Sequence, residues 1–124
     1  DVVFAAAGGT GVGVLQRATD DGILSIGVDS NQNYLHPGSV LTSMLKRVDN
    51  AVFDAFSQGA EMETGIVVMD LASGGVGWAV DENNEPLITE EMTAAIAEAE
   101  TGITSGSLSV HDYRSDDTCP YSVE

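Results

Sequence analysis

Apolar runs rich in β-forming residues alternate with polar and glycine-rich stretches in the first part of the chain. Residues 2–7 and 23–28 are apolar runs that predict buried strands. Residues 11–20 carry helical spacing, with Thr10 available as the N-cap, and the polar residues 29–38 predict a loop. Strands that alternate with helices in this way predict parallel pairing and an α/β fold.

A long helix is predicted next, from about Val40 to about Ser57, with Ser39 as its N-cap. Apolar residues recur there at three- and four-residue spacing, which places them on one helical face. They are Leu41, Met44, Leu45, Val48, Val52 and Phe56.

The pattern changes after this segment. Residues 64–70 and 76–80 are apolar runs on either side of a glycine-containing turn, and they predict a hairpin or a meander. An Ala/Glu-rich helix is predicted from Thr89 to about Glu100, and residues 106–110 predict one more short strand. Buried parallel strands have neighbours on both sides, and the chain opens directly on such a strand. The neighbour of that strand is then supplied by further sequence or by another chain, and we expect residues 1–124 to be part of a larger protein.

The charge is strongly negative and unevenly spread. The chain has 20 acidic residues against four basic ones, a net charge of −16, and its one lysine is Lys46. A surface of this sign repels phosphate backbones, so no nucleic-acid partner is expected. The acids are scattered without long runs, which favours adaptation to high salt, as in a halophile, over an acidic tail or a cation-binding region.

Three features are candidates for a small-molecule site. The first is the glycine loop Gly8, Gly9, Thr10 and Gly11 between the first strand and helix, which either forms a tight turn or lets backbone approach a ligand. The second is Asp29, predicted at the tip of the second strand, where an acid either forms a local turn or binds a diol. The third is Lys46, predicted inside the long helix, where it either pairs with Asp49 or Asn50 or has a specific hydrogen-bonding role.

Other chemistries are poorly supported. The glycines match neither the dinucleotide fingerprint nor a P-loop, and no nucleophile elbow is present. His36 and His111 lack ligand spacing, and residues 81–85 resemble only half of a calcium loop, so no metal or other cofactor is expected. The single Cys119 is expected to be a bystander thiol, with an intermolecular bridge as the alternative. No signal peptide or membrane-spanning run is visible in the sequence.

Three blocks together resemble the basic membrane protein family of nucleoside-binding lipoproteins that serve ABC importers. They are DVVFAAAGGTGVGVLQ, IGVDSNQNYLHPGSVLTSMLKRVDNAV and GGVGWAVDENNEPL, within a resemblance that runs from Asp1 to about Tyr113. The resemblance implies the type I periplasmic-binding-protein fold, in which ligand lies between two lobes. This chain is then most of the C-terminal lobe, with three α/β/α layers around a small, mostly parallel sheet.

The resemblance also implies roles and partners. A glycine within Gly8 to Gly11, Asp29 and Lys46 match family positions, and the last two are expected to hold the ribose hydroxyls of a purine nucleoside. The expected partners are the N-terminal lobe, which this chain lacks, and the permease of an ABC importer, with the full-length protein anchored outside the cytoplasm. Self-association of an isolated lobe is a further expectation. Two alternatives stay open: a Rossmann-like nucleotide-binding enzyme or regulatory domain, and a self-assembling acidic domain.

Overall fold

Four strands form one sheet in the order β1–β2–β3–β4 in a computed structural model that describes residues 1–120. The strands are β1 (Val2–Phe4), β2 (Leu24–Asp29), β3 (Val40–Lys46) and β4 (Val76–Trp78). β1, β2 and β3 are parallel, whereas β4 runs antiparallel to β3. The predicted α/β fold with a small, mostly parallel sheet is confirmed.

The helices are α1 (Thr10–Asp20), α2 (Val48–Gln58), α3 (Glu90–Ser105) and α4 (Tyr113–Asp116). Short 3-10 turns lie at Asn33–Leu35, Gly59–Glu61 and Glu85–Leu87.

α3 begins as predicted but ends later. The Thr89 hydroxyl accepts the backbone N–H of Met92 at 3.1 Å, which caps the helix. The helix ends at Gly106, whose φ of 76° is a left-handed termination. Leu108 N–H then donates to the carbonyl of Gly102 at 2.9 Å, so the chain folds back on the helix. The predicted strand at 106–110 is therefore wrong.

The predicted helix from Val40 to Ser57 is also wrong in its first half. Residues 40–46 form β3, which lies between β2 and β4, and α2 begins only at Val48. Thr42 and Ser43 interrupt the apolar residues of β3, and over seven residues that spacing is easily mistaken for one face of a helix. Ser39 therefore precedes a strand and caps no helix.

The predicted strand at 64–70 does not form, and neither does its hairpin with residues 76–80. β4 pairs instead with β3, with Trp78 opposite Met44 and Val76 opposite Lys46. A turn precedes β4, in which Gly75 N–H donates to the carbonyl of Asp70 at 2.7 Å.

The core is small and partly polar. Its buried apolar side chains come from α1, β2, β3 and the residue after β4: Leu15, Ala18, Val28, Val40 and Ala79. Four buried polar residues join them, namely Ser25, Asn33, Ser43 and Asn84. The Asn84 amide donates to the carbonyls of Leu41 and Ala79 at 2.8 and 3.0 Å, which ties the turn after β4 to β3.

Large apolar side chains remain exposed on α2 and on the segment that follows it. Phe56 is 83% exposed and Ile66 is 95% exposed. Their exposed apolar neighbours are Val48, Val52, Phe53, Val67 and Val68. A surface of this kind is typical of one that packs against further protein. No helix in residues 1–120 has the length and apolar character needed to cross a membrane.

Candidate functional site

The three sequence-predicted features lie at one edge of the sheet. The loop Gly8–Gly11 follows β1, Asp29 is the last residue of β2, and Lys46 is the last residue of β3. Because these strands are parallel, their carboxyl ends meet at the same edge, where open α/β sheets bind ligands. The prediction of Lys46 inside a helix was wrong, and its true position brings it to Asp29.

Asp29 and Lys46 form an ion pair across neighbouring strands. Lys46 Nζ lies 2.7 Å from Asp29 Oδ1, and the two side chains are 60% and 49% exposed, in that order. An exposed pair of this type stabilises a fold little. It does place a carboxylate acceptor beside an ammonium donor, both open to solvent and both able to bind a hydroxyl group.

The residues expected as alternative partners of Lys46 are held by Arg47 instead. An Arg47 guanidinium nitrogen lies 2.7 Å from Asp49 Oδ2 and donates to Asn50 Oδ1 at 3.3 Å. The hydrogen bonds from Arg47 lower the pKa of Asp49 to about 2. Lys46 is therefore directed to Asp29.

The backbone at Asp29 is unusual. Its φ is 72°, and the N–H of Ser30 donates to the carbonyl of Val28 at 2.9 Å. An i to i+2 bond around a residue of positive φ is the rarer, strained form of γ-turn. Strain of this type is retained where surrounding contacts over-determine it, and such positions cluster at functional sites.

The glycine loop is exposed and turns tightly. Gly8 has a φ of 54°, and a Cβ on the buried Gly11 would lie 3.3 Å from the carbonyl oxygen of Ala5. The N-cap of α1 is Gly9, without a side-chain cap bond, and Thr10 is the first helical residue rather than the cap. The backbone of this loop is therefore exposed, with little side-chain cover. It lies at the same edge of the sheet as the Asp29–Lys46 ion pair.

Sequence reasoning predicted a loop after Asp29 but not the hydrogen bonds that hold it against the sheet. Gln32 Oε1 accepts the N–H of Val28 at 2.8 Å, and Gln32 N–H donates to Ser43 Oγ at 2.9 Å. The Ser43 hydroxyl in turn donates to Asn33 Oδ1 at 2.8 Å. This loop lies flat on the sheet because Gly27 has no side chain: a Cβ there would be 2.6 Å from Ser43 Oγ.

Asp81, after β4, is the second group that was missed. Its Oδ2 accepts the side-chain amides of Asn31 at 2.6 Å and Asn33 at 3.2 Å. Its Oδ1 accepts the backbone N–H and side-chain amide of Asn83 at 2.8 and 2.9 Å. These bonds, that from Asn31 above all, lower the pKa of Asp81. The dense run of Asn, Gln and Asp in residues 29–33 and 81–84 was the available signal.

Residues 1–120 contain no cluster of three or more His, Cys, Asp or Glu side chains that could hold a metal ion. A cavity of about 750 Å³ lies along α3, lined mostly by small side chains with Glu98 as its charged one. Cys119 is exposed and follows α4.

Comparison with known proteins identifies the family. The sequence model for the ABC transporter substrate-binding protein PnrA-like family, Bmp, matches residues 1–112. The chain belongs to this family. Residues 1–112 include the glycine loop, Asp29, Lys46 and Asp81, so the whole candidate site lies inside the matched part.

One curated relative and two solved structures are longer than this chain and match it over part of their length. The ABC transporter nucleoside-binding protein BmpA of Lactococcus lactis is 32% identical over 130 residues, covering 89% of this chain and 36% of that protein. An ABC transporter solute-binding protein of Aeropyrum pernix has a TM-score of 0.69 at 26% identity, with 94% of this chain and 42% of that one covered.

The second structure shows the fold alone. It is a transcriptional activator of the comK gene from Bacillus halodurans, with a TM-score of 0.76 at 24% identity, covering 90% of this chain and 39% of that one. The chain thus spans between about a third and about two fifths of the relatives named here.

Proposed function

We propose that residues 1–124 form one lobe of the solute receptor of an ABC importer, and that this receptor binds a purine nucleoside between its two lobes. The family supports the receptor role. The nucleoside is supported by the Lactococcus relative, which is named as nucleoside-binding. The coverage of its relatives, at 36% to 42%, supports the assignment to one lobe.

The Asp29–Lys46 ion pair carries this proposal. A ribose presents two neighbouring hydroxyls, each able to donate and accept a hydrogen bond. An ionised carboxylate accepts two such bonds, and an ammonium 2.7 Å away donates to the hydroxyl oxygens. Neither group has to move far, because each ends a strand of the same sheet.

The glycine loop then forms the neighbouring part of the cleft. Gly8, Gly9 and Thr10 are exposed, and the absence of a side chain at both glycines lets a flat ligand approach the backbone. Thr10 and Gly11 open α1, whose N-terminus favours electron-rich ligand atoms. We assign Gly8, Gly9 and Thr10 to ligand contact on this ground, whereas the buried Gly11 closes the turn through its N–H bond to the carbonyl of Gly8.

The other wall of the cleft comes from a second lobe. An open edge gives a nucleoside one face only, and closure of two lobes is what excludes water and tightens binding. The isolated chain should therefore bind nucleosides weakly or not at all. The full-length receptor works outside the cytoplasm, anchored to the membrane, and delivers its ligand to a permease. It binds solute and catalyses no reaction.

The charge of the site argues against the dinucleotide-binding alternative. A pyrophosphate on the glycine loop would lie near a sheet edge that carries Asp29, in a chain of net charge −16. A neutral nucleoside avoids that repulsion.

Isothermal titration of the full-length protein that contains this chain tests the proposal. We expect saturable binding of adenosine, inosine or guanosine and none of NAD. D29N should lower the affinity by about tenfold to a hundredfold, because hydrogen bonds to a charged group are lost. The matched control is D49N, which removes a carboxylate from a neighbouring ion pair. Equal affinity in the two variants, or preference for NAD, would contradict the proposal.

A further inference from the structure

The orientation of the Asp29 carboxylate depends on a turn that its own sequence does not favour. Asp29 has a φ of 72° in a γ-turn, and such a backbone is strained for a residue with a side chain. Relaxation of the turn would rotate the side chain away from Lys46. Contacts on either side of Asp29 must therefore hold it.

Two sets of hydrogen bonds hold the segments on either side of this turn. The first is local: the Gln32 side chain accepts the N–H of Val28, the residue before Asp29. The second comes from a distant part of the chain: Asp81 accepts the side-chain amides of Asn31 and Asn33, at separations of 50 and 48 residues. Asn31 Oδ1 also accepts the backbone N–H of Asn33 at 3.0 Å, so Asp81 binds a loop that is already closed on itself.

The position of Asp81 is itself fixed by β3. Its backbone N–H donates to Asn84 Oδ1 at 2.8 Å, and the buried Asn84 amide donates to the carbonyls of Leu41 on β3 and of Ala79 just after β4. A continuous set of hydrogen bonds therefore runs from β3 through the turn at 81–84 to the loop after Asp29. No member of this set contacts the Asp29 carboxylate itself, so its influence on the site is through the backbone.

We propose that Asp81 is a positioning residue for ligand binding: by holding the amides of Asn31 and Asn33 it fixes the Asp29 turn, and with it the carboxylate that binds the ribose. The proposal rests on the function proposed above. It assigns to Asp81 an effect on the recognition of the ribose hydroxyls and none on the base.

The test compares affinities of the full-length protein for adenosine and for 2′,3′-dideoxyadenosine, which lacks both hydroxyls. Both Asp81 carboxylate oxygens accept hydrogen bonds, but D81N replaces one of these oxygens with an NH₂ group. That group then faces other donors, either the Asn31 and Asn33 amides or the Asn83 N–H, and those hydrogen bonds are lost. We expect adenosine affinity to fall by about tenfold and dideoxyadenosine affinity to change little. The ratio of adenosine affinity to dideoxyadenosine affinity therefore falls. A merely structural loss would weaken both ligands alike and leave the ratio unchanged.

Two further variants keep the test decisive. N31A removes one bond to Asp81 from an exposed residue, and it should lower the ratio even if D81N folds poorly. D70N is the matched control, because Asp70 also caps a turn, accepting Ser73 N–H at 2.9 Å, and has no bond to the loop after Asp29. It should leave the ratio unchanged.

The outcomes separate the two proposals. A wild-type preference for adenosine that survives in D81N and N31A would overturn the role of Asp81 and leave the receptor function standing. No wild-type preference for adenosine would overturn the ribose-binding function. In that case the ligand-free NMR spectrum decides on Asp81: the amide resonance of Ser30 should shift in D81N but not in D70N, and an unmoved resonance would overturn the positioning role.

Discussion

The backbone N–H of Val28 donates to the side-chain oxygen of Gln32 at 2.8 Å, so the loop that leaves β2 folds back on the strand it has just left. Asp29 lies inside this closed loop and is forced into a positive φ. Its side chain gains a fixed direction at the sheet edge, and the backbone bears the strain. Stability and function are therefore opposed at this residue.

The first prediction follows from that opposition. D29G should raise the free energy of unfolding by about 1 kcal/mol, because glycine adopts a positive φ without the steric cost. The same variant should lose nucleoside affinity, since the carboxylate is gone. Urea unfolding and titration calorimetry on the same preparations measure the two effects.

D29N separates the effect of the backbone conformation from the effect of losing the carboxylate. Asparagine keeps a side chain at the positive φ, so D29N should lose affinity without the gain in stability. Loss of the exposed ion pair should itself cost less than about 1 kcal/mol. A D29G protein that is less stable than D29N would show that the turn is not strained.

The second prediction concerns Gly27. G27A should destabilise the fold by about 1–3 kcal/mol, because the new Cβ would lie 2.6 Å from Ser43 Oγ and 2.9 Å from Gln32 Cβ. G13A is the matched control: it lies inside α1 with open space around its Cβ position. That variant should stabilise the helix by about 0.5–1 kcal/mol. Opposite signs in urea unfolding are expected, and equal effects would mean that the loop does not lie on the sheet at Gly27.

The sequence predicted the position of Asp29 but not that of Lys46. Asp29 follows an apolar strand directly, and a strand end is readable from composition alone. Lys46 required the recognition of β3, whose Thr42 and Ser43 interrupt the apolar run and imitate the polar face of a helix. Those two hydroxyls bond to Ala79 and Asn33 in the folded chain, which only the tertiary structure shows.

The strand predicted at 64–70 failed for a related reason. Its residues have strong β-propensity, but a strand forms only where a partner offers its backbone. The open side of β3 is taken by β4, which is fixed there through the Thr42 and Asn84 bonds to the carbonyl of Ala79. Ile66, Val67 and Val68 are left exposed, outside any strand.

The third prediction uses the lowered pKa of Asp81. A carboxyl whose pKa is lower in the folded state stabilises the fold at pH values above its unfolded pKa of about 3.9. That contribution is lost as the pH falls through the lower folded-state value. The difference in unfolding free energy between wild type and D81N should therefore be constant from pH 7 to about pH 5 and narrow below about pH 4.

A neighbouring variant corrects for the general effect of charge. E82Q removes one negative charge from the neighbouring, exposed position of the same turn, so the difference between wild type and E82Q gives the general effect of net charge with which the D81N difference is compared at each pH. Urea titrations between pH 7 and pH 2.5 measure both differences. A D81N difference that stays constant down to pH 2.5 would contradict the lowered pKa.

The last prediction concerns salt. With 20 acids and four bases, the folded chain concentrates like charges that repel, and the repulsion is greatest where screening is weakest. The screening length falls from about 30 Å at 0.01 M salt to about 3 Å at 1 M. The unfolding midpoint should rise steeply with sodium chloride over that range. E98Q combined with E100Q removes two acids from α3 and should flatten the rise, because fewer like charges then repel one another. Full stability of the wild type at the lowest salt concentration would rule out the interpretation of the acidic surface as an adaptation to brine.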